Sequence, residues 1–401
     1  MKSIIDLVKK INGKVIFVIV FFALIALPLI CINTDPNRIL KTENRGAAHF
    51  PEIIMDDNMF NTDFLAQFET YLADNIGFRE EATVANAALK YGLFRKLEVG
   101  NFMEGQPGEI FYNTDGHTGI ETFQGINHYS EEEMAGTLPS VLAIRDYWKE
   151  NGAEFLILMI PDKEGIYPER YLSTIIRQSD QSKLELWTQY MKESSDLNAL
   201  FLKDALEEAK KDYDKLYYSN EDGTHWNMNG AFIGYQQMMR GLQDFDPQLK
   251  EIEQDTISVK EIPYHGAMIH LHWSELLNQV FNWDDIVYEY EFGFTGEDKT
   301  EDYKNAHSLG ADVQLYYYIN QESLNDKKLL VIGDSYVYSF MMPMLSQTFK
   351  EVVFVSTATL TQESLRSIQN DFQPDYVVFE AVERAFSLSD FQRLAGFMTL
   401  T

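Results

Sequence analysis

The chain has 401 residues, of which 62 are acidic and 33 are basic, giving a formal net charge of −29 at pH 7. A surface this negative repels nucleic acid and anionic lipid headgroups, which excludes nucleic-acid binding as the main function. A single cysteine, Cys31, excludes an intrachain disulfide, and the length fits one large α/β domain with insertions or two domains.

The first predicted element is a membrane-spanning helix. Lysines at positions 2, 9, 10 and 14 precede an uncharged, apolar run over residues 15–32. At about 1.5 Å per residue the run extends roughly 27 Å, close to the thickness of the bilayer hydrocarbon. Since the positive charges precede the run, residues 1–32 are predicted to form a cytoplasmic tail and a single-pass anchor in the cell membrane, with the bulk outside. The alternative, a cleaved signal peptide, lacks the small residues of a cleavage site.

Residues 33–100 are predicted to form a linker and a helical extension, with helical periodicity over residues 61–98. From residue 101 onward, apolar runs alternate with helices, which is typical of a parallel sheet buried on both faces. The prediction for residues 101–401 is therefore a doubly wound α/β domain. Strands are predicted at 108–112, 155–160, 215–218, 329–332, 352–356 and 376–380. Helices are predicted at about 131–150, 182–193, 200–211, 227–243, 338–349 and 361–371. An irregular, aromatic-rich segment with two strand candidates, residues 245–325, is predicted to be an insertion.

Ser335 is the candidate nucleophile. It follows the strand Leu329–Ile332 through Gly333 and Asp334, at the point where the chain turns into a helix. Ligands bind beyond the carboxyl ends of parallel strands, and the N–H groups that start a helix can stabilise an oxyanion. An acyl-transfer nucleophile suits this position. The alternative is a serine that caps the helix and has no chemical role.

His225 is the candidate general base, in "YYSNEDGTHW", which also precedes a predicted helix. Imidazole has the pKa that activation of a serine hydroxyl needs, and a carboxylate must fix its tautomer. Asp222 and Glu221 lie three and four residues before it. The alternative is a turn histidine with satisfied hydrogen bonds.

Other polar residues are candidates for binding. Lys163, beyond the strand 155–160, and Tyr336, beside the serine, are predicted to contact substrate, and Lys163 would suit an anionic sugar. The alternative for Lys163 is a solvated loop residue. Arg384 is a further substrate-binding candidate, although pairing with Glu380 at i+4 competes with that role. His265, His270 and His272 lack the acidic or cysteine ligands of a metal site, so neither a metal nor a cofactor is expected.

Together these segments resemble the AlgJ/AlgX-like branch of the SGNH hydrolases and the related proteins named for a DHHW motif. The resemblance is carried by "GTHWNMNGAFIGYQ" and "LLVIGDSY". Further motifs agree in order over roughly residues 40–390: "TENRGAAHFPE", "FETYLADNIGFRE", "IPDKEGIYPERY" and "FEAVERAF".

The resemblance implies an SGNH-like fold in an exported or membrane-tethered polysaccharide O-acetyltransferase, whose base precedes its nucleophile in the chain. It also implies a polytopic membrane-bound O-acyltransferase as acetyl donor and a polysaccharide as acceptor. The family's acid lies two residues before the histidine, where this chain has Gly223. Asp222 is the predicted acid, with the turn re-aimed by a glycine that can adopt positive φ. Glu221, a Ser-His dyad and an inactive member remain alternatives.

The leading functional prediction is acetyl transfer through Ser335 to a cell-surface or exported polysaccharide. An acetyl esterase would use the same chemistry with water as acceptor. A non-catalytic subunit of a polysaccharide modification or export complex is the third possibility. The glycine at the usual acid position favours it, and the presence of both His225 and Ser335 opposes it.

Overall fold

The computed structural model describes residues 13–40, 45–55, 59–94, 98–99, 102–113, 118–265, 283–293, 296–310 and 312–399. These residues belong to two compact units, one before residue 100 and one after it.

The first unit begins with helix α1 (Gly13–Ile30), which is long and apolar enough to cross a membrane. None of its residues is buried within the protein, as expected for side chains that face lipid. A signal sequence shares these properties. Helices α2 (Phe64–Asn75) and α3 (Arg79–Phe94) follow, inside the region predicted to be helical. The unit also contains the short strands β1 (Ile39–Leu40), β2 (Arg45–Gly46) and β3 (Glu98–Val99).

The second unit alternates strands and helices along the chain. Its strands are β4 (Phe102–Glu104), β5 (Ile110–Tyr112), β6 (Glu154–Ile160), β7 (Ala199–Phe201), β8 (Ser258–His265), β9 (Asp284–Glu291), β10 (Glu297–Asp298), β11 (Leu315–Ile319), β12 (Asn325–Gly333), β13 (Phe349–Ser356) and β14 (Tyr376–Val382). Its helices are α4 (Thr118–Gln124), α5 (Glu131–Glu150), α6 (Lys163–Ile166), α7 (Lys183–Ser194), α8 (Lys203–Ala209), α9 (Met228–Gln243), α10 (Thr300–Ala306), α11 (Met342–Thr348), α12 (Gln362–Asp371) and α13 (Leu388–Thr399).

The central sheet has the order β10-β11-β13-β12-β14-β6-β7 among the described residues. Strands β13, β12, β14, β6 and β7 run parallel to one another, whereas at one edge β11 pairs antiparallel with β13 and β10 pairs antiparallel with β11. The fold is thus α/β with a mostly parallel sheet, which confirms the fold class predicted for residues 101–401. The crossovers bring the carboxyl ends of the parallel strands to one edge.

Both faces of the sheet are buried, as the continuous apolar runs predicted. In β6, Leu156 and Leu158 pack into one hydrophobic cluster with α9 and α11, and Phe155 and Ile157 pack into the opposite cluster with α5, α7, α12 and α13. Each fully buried aliphatic side chain of this kind contributes about 1.5–3 kcal/mol. The site at the strand ends therefore rests on a rigid support.

Two local predictions were wrong, and one helix was missed. Residues 199–201 form strand β7 because they pair with β6, and the helix predicted from residue 200 is α8, which starts at Lys203. Residues 215–218 form no strand of the sheet, since Tyr217 makes only an isolated bridge to Trp226. Helix α13 was not predicted, although it packs against α5 over the sheet.

The segment predicted as an insertion contains two kinds of structure. Strands β8 and β9 form an antiparallel pair in register from Ser258 opposite Glu291 to His265 opposite Asp284. Strands β10 and β11 instead extend the central sheet. Antiparallel edge strands are common additions to parallel sheets.

Candidate active site

Ser335 lies at the carboxyl end of β12, where the chain turns into a helical segment. Residues 335 and 336 are helical, Val337–Met341 form a π turn, and α11 continues from there. Single π turns are frequent at functional sites. Ser335 is partly exposed, while Tyr336 and Val337 behind it are fully buried. The hydroxyl therefore reaches the surface from a well-packed turn.

Asp334 fixes this turn to the neighbouring strand. Its carboxylate accepts the N–H of Tyr336 and the N–H of Val382, each at 2.9 Å, and its own N–H donates to Glu380 at 2.9 Å. Burial, together with the nearby Asp334, raises the pKa of Glu380 well above its usual range. A Cβ at position 333 would collide with the Glu380 carboxylate, which explains Gly333.

His225 lies between Ser335 and Asp222. Its Nε2 is 2.7 Å from the Ser335 Oγ, and its Nδ1 is 2.7 Å from the Asp222 Oδ2. The other oxygen of Asp222 accepts the N–H groups of Thr224 and His225 at 3.0 and 3.2 Å. With the Nδ1 proton donated to Asp222, Nε2 is free to accept the serine proton. The structure thus brings together the three residues predicted as catalytic.

Gly223 explains why the carboxylate comes from Asp222. A Cβ at position 223 would come within 2.6 Å of Ile110 and 2.8 Å of Phe102. The glycine does not have positive φ, so the predicted reason for it, a left-handed turn, was wrong. Close packing requires the glycine, and an aspartate at this position would not fit.

Glu221 occupies a different environment from Asp222. Burial, reinforced by the charges of Asp222 and Asp285, raises the pKa of Glu221 to about 8. At neutral pH it is therefore mostly protonated. A neutral carboxyl group is a poor partner for an imidazolium, whereas the Asp222 carboxylate contacts the ring directly.

Asp285, from strand β9, organises the loop that carries the acid. Its Oδ2 accepts the N–H groups of Ser219, Asn220 and Glu221 at 2.8, 2.9 and 3.2 Å, and its Oδ1 pairs with Lys215 at 2.8 Å. Burial opposes the charge of Asp285, but Lys215 and the N–H donors outweigh it and lower its pKa. The inserted strand pair therefore helps to shape the site.

Lys163 follows strand β6 as predicted, but its ammonium group lies inside the protein and does not face a substrate. Its Nζ is buried, donates to the carbonyls of Ile110 and Ser219 at 2.8 and 3.0 Å, and pairs with Glu109 at 3.0 Å. Burial lowers the pKa of Lys163 although Glu109 opposes this. The ammonium group is used inside the protein and supports the loop at Ser219.

Arg384 and Tyr336 also face inward, behind His225. Arg384 pairs with Asp162 and donates to Tyr336 at 3.3 Å and to the Thr224 hydroxyl at 2.5 Å. Tyr336 is fully buried and donates to the Thr224 carbonyl. The predicted pairing of Arg384 with Glu380 was wrong, because Glu380 is in a strand and the i+4 rule applies to helices. Both side chains brace the residue next to His225.

Of the three histidines considered for a metal site, only His265 lies among the described residues. His265 lies 2.7 Å from Asp284, and His270 and His272 lie outside the described residues. Within the described ranges, no group of three or more potential ligand side chains is placed to hold a metal ion.

Comparison with known proteins gives one family match. Residues 104–287 match the family model described as "SGNH hydrolase-like domain, acetyltransferase AlgX". Over this range the chain is similar to that family. The resemblance drawn from the motifs is thereby confirmed. The matched range includes Asp222 and His225 and ends before Ser335, which the fold brings to His225. No curated protein sequence matches the chain.

Several solved structures are similar in fold. PatB1 of Bacillus cereus, solved with a sulfonyl adduct, is 16% identical and has a TM-score of 0.49, with 73% of this chain and 97% of that chain covered. The O-acetyltransferase domain of Pseudomonas putida AlgJ is 14% identical, with a TM-score of 0.46 and 74% and 99% covered. A DHHW family protein of Eubacterium siraeum is 17% identical, with a TM-score of 0.44 and 73% and 95% covered.

Sequence analysis missed several supporting residues, chiefly Asp162, Asp285 and Glu380. The structural role of Asp334 was also missed. It precedes the serine in "GDS", and an aspartate before a turn often accepts a backbone N–H, so the sequence did contain a signal for this residue. Asp285 gives no such signal, because its partners lie 64 to 66 residues away.

Proposed function

We propose that this protein is a membrane-anchored, extracytoplasmic O-acetyltransferase that moves an acetyl group through Ser335 to a hydroxyl of a cell-surface or exported polysaccharide. The observation that carries the proposal is the continuous relay from the Ser335 hydroxyl through His225 to Asp222, with both hydrogen bonds at 2.7 Å. The family match supports acetyl transfer as the chemistry.

In the first half-reaction, the Ser335 oxygen attacks the carbonyl carbon of an acetyl ester while His225 Nε2 takes the hydroxyl proton. Asp222 stabilises the imidazolium that forms. The oxyanion develops beside the backbone N–H of Ser335 at the carboxyl end of β12, since the N–H groups of Tyr336 and Val337 already donate to Asp334. Collapse of the intermediate expels the donor's alcohol, which takes the proton from His225, and leaves acetyl-Ser335.

In the second half-reaction, a sugar hydroxyl loses its proton to His225 Nε2 and attacks acetyl-Ser335. The ester bond to the sugar forms as the bond to Ser335 breaks, and the serine recovers its proton from His225. Water in place of the sugar would give an esterase. The balance between these outcomes depends on how well an acceptor sugar competes with water.

The anchor and the donor belong to the same proposal. The apolar helix α1 would hold the domain at the outer face of the membrane, with the lysine-rich segment before it in the cytoplasm. Acetyl-CoA is absent outside the cell. As the family resemblance implies, a polytopic membrane-bound O-acyltransferase would supply the acetyl group there.

The test uses the full chain in detergent, a chromogenic acetyl ester and an acceptor oligosaccharide. Wild type should show an acetyl adduct by intact-mass spectrometry and should acetylate the sugar. Ser335→Ala should lose both, and the control Ser339→Ala, an exposed serine on the same turn, should keep both. Equal turnover by wild type and Ser335→Ala would refute the proposal. An acetyl adduct that is hydrolysed by water but does not transfer its acetyl group to the sugar would indicate that the protein is an esterase.

A non-catalytic role in a modification or export complex is the remaining alternative. The relay at Ser335 opposes it, because a partly exposed serine, a histidine and a buried carboxylate in hydrogen-bonding order have no evident packing purpose. An absence of any serine adduct, with acetyl ester and with a sulfonyl fluoride, would favour this alternative.

A further inference from the structure

The turn between α2 and α3, which we call the elbow (residues 75–78), packs on the outer end of α1. The N–H of Gly77 donates to the Pro28 carbonyl at 3.0 Å, and the N–H of Asn33 donates to the Asn75 carbonyl at 2.8 Å. A Cβ at Gly77 would come within 2.5 to 2.9 Å of three atoms of Cys31. The elbow therefore lies directly against the last turn of the apolar helix.

The elbow is also fixed from its other side. The carboxylate of Asp74 accepts both terminal nitrogens of Arg45, at 2.7 and 2.8 Å, and the N–H of Ala48 at 2.9 Å. The amide of Asn75 donates to the carbonyls of Ala48 and Tyr71 at 2.8 and 3.0 Å. Asp74 and Asn75 are both buried. The depth of the elbow is thus determined by the position of α1.

Phe78 closes the elbow in an unusual conformation. Its φ is 60°, a left-handed backbone that a bulky side chain rarely adopts, and its side chain is 51% exposed. On the adjoining end of α1, Leu29 and Ile30 are also exposed. An apolar ring held outward beside an apolar helix end suits the boundary between lipid headgroups and acyl chains, where segments bound at the membrane surface place Trp, Phe and Leu.

We propose that the elbow lies in the headgroup region of the lipid bilayer and that Phe78 inserts there as a second membrane contact beside α1. This inference rests on the proposed role of α1 as an anchor. Gly77 contacts Pro28, two residues before the end of α1, so Phe78 lies within about one helical turn of the predicted end of the span. The contact would restrict how the helical extension tilts on the membrane. The contact is apolar, since it is made by a phenylalanine ring. It needs no anionic lipid, which the strongly acidic chain would repel.

The test is a depth measurement on the full chain in phosphatidylcholine vesicles. Three spin-labelled single-cysteine variants in a Cys31→Ser background are compared: Leu24→Cys within α1, Phe78→Cys in the elbow, and Glu81→Cys, an exposed site one turn into α3. The ratio of collisions with oxygen to collisions with a nickel chelate rises with membrane depth. We expect the ratio at 78 to be several-fold above that at 81 and below that at 24.

Two results would overturn the inference in distinguishable ways. A label at 78 as accessible to nickel as the label at 81, with 24 buried in lipid, would reject the elbow contact and leave the anchor intact. A water-accessible label at 24 would reject the anchor as well. Phe78→Trp, which keeps an aromatic ring, gives a second measurement: acyl-brominated lipid should quench its added fluorescence, and an unquenched signal would contradict insertion.

Discussion

The Asp222 carboxylate lies 2.7 Å from the His225 ring nitrogen across a separation of three residues. In the motif that the sequence resembles, the acid lies two residues before the histidine. Here it lies three residues before, and it still contacts the histidine ring. Close packing at Gly223 selects this arrangement.

Asp222→Asn should therefore lower the rate of acetyl transfer by about 10³ to 10⁴, since the amide favours the wrong imidazole tautomer, equivalent to about 4–5.5 kcal/mol in the barrier. Glu221→Gln should cost less than about tenfold, because this carboxyl is mostly neutral at pH 7 and the ring is already held by Asp222. Turnover of a chromogenic acetyl ester measures both. A larger loss at Glu221 than at Asp222 would assign the acid to Glu221.

Gly223→Ala should destabilise the protein by about 1–3 kcal/mol, because the new methyl group overlaps Ile110 and Phe102. Gly136→Ala is the matched control. This glycine is exposed within α5 and has open space around it, so alanine should stabilise by about 0.5–1 kcal/mol. Urea denaturation compares the two. Equal effects would show that the loop at 223 tolerates a side chain and that the packing explanation for Asp222 is incorrect.

Glu221 should make stability depend on pH. Its pKa in the folded protein is about 8, against a usual value of 4.5. Between these values the unfolded chain ionises while the folded protein retains the proton, so Glu221 reduces stability progressively as pH rises from about 4.5 to 8 and not further above 8. The free energy of unfolding of Glu221→Gln, minus that of wild type, should rise over this window and then level off. Glu207→Gln, exposed on α8, controls for the substitution. A difference that stays constant with pH would contradict the burial of this carboxyl.

Lys163→Met should act on stability rather than on substrate binding. The substitution should cost about 1–3 kcal/mol, because the buried carbonyls of Ile110 and Ser219 lose their donor, while Glu109 keeps its pair with Arg170. Lys192→Met, exposed on α7, should change stability by less than about 0.5 kcal/mol. Denaturation and KM are measured together. A raised KM with unchanged stability would support the substrate-binding role predicted from the sequence.

Most of the fold could be predicted from the sequence, because buried parallel strands appear in it as continuous apolar runs. Ser335 and His225 could be found because local turns place each of them. The residues that hold the catalytic loops in place could not be predicted. Arg384 and its partner Asp162, for example, are 222 residues apart, and no local sequence pattern encodes such a pairing. Lys163 was misplaced for the same reason: its position after a strand was visible, but the Glu109 carboxylate that holds it inside was not.

The order of strands in the sheet sets when this site can exist. β14 lies between β6 and β12, so the strand that ends at Ser335 has no place beside the β6–β7 pair until residue 382 is available. Domains emerge N-terminus first during synthesis. A partly emerged chain would therefore hold its histidine loop without a serine beside it. Reactivity would appear only once residues 376–382 have joined the sheet, so a polypeptide that lacks them could not consume activated acetyl groups.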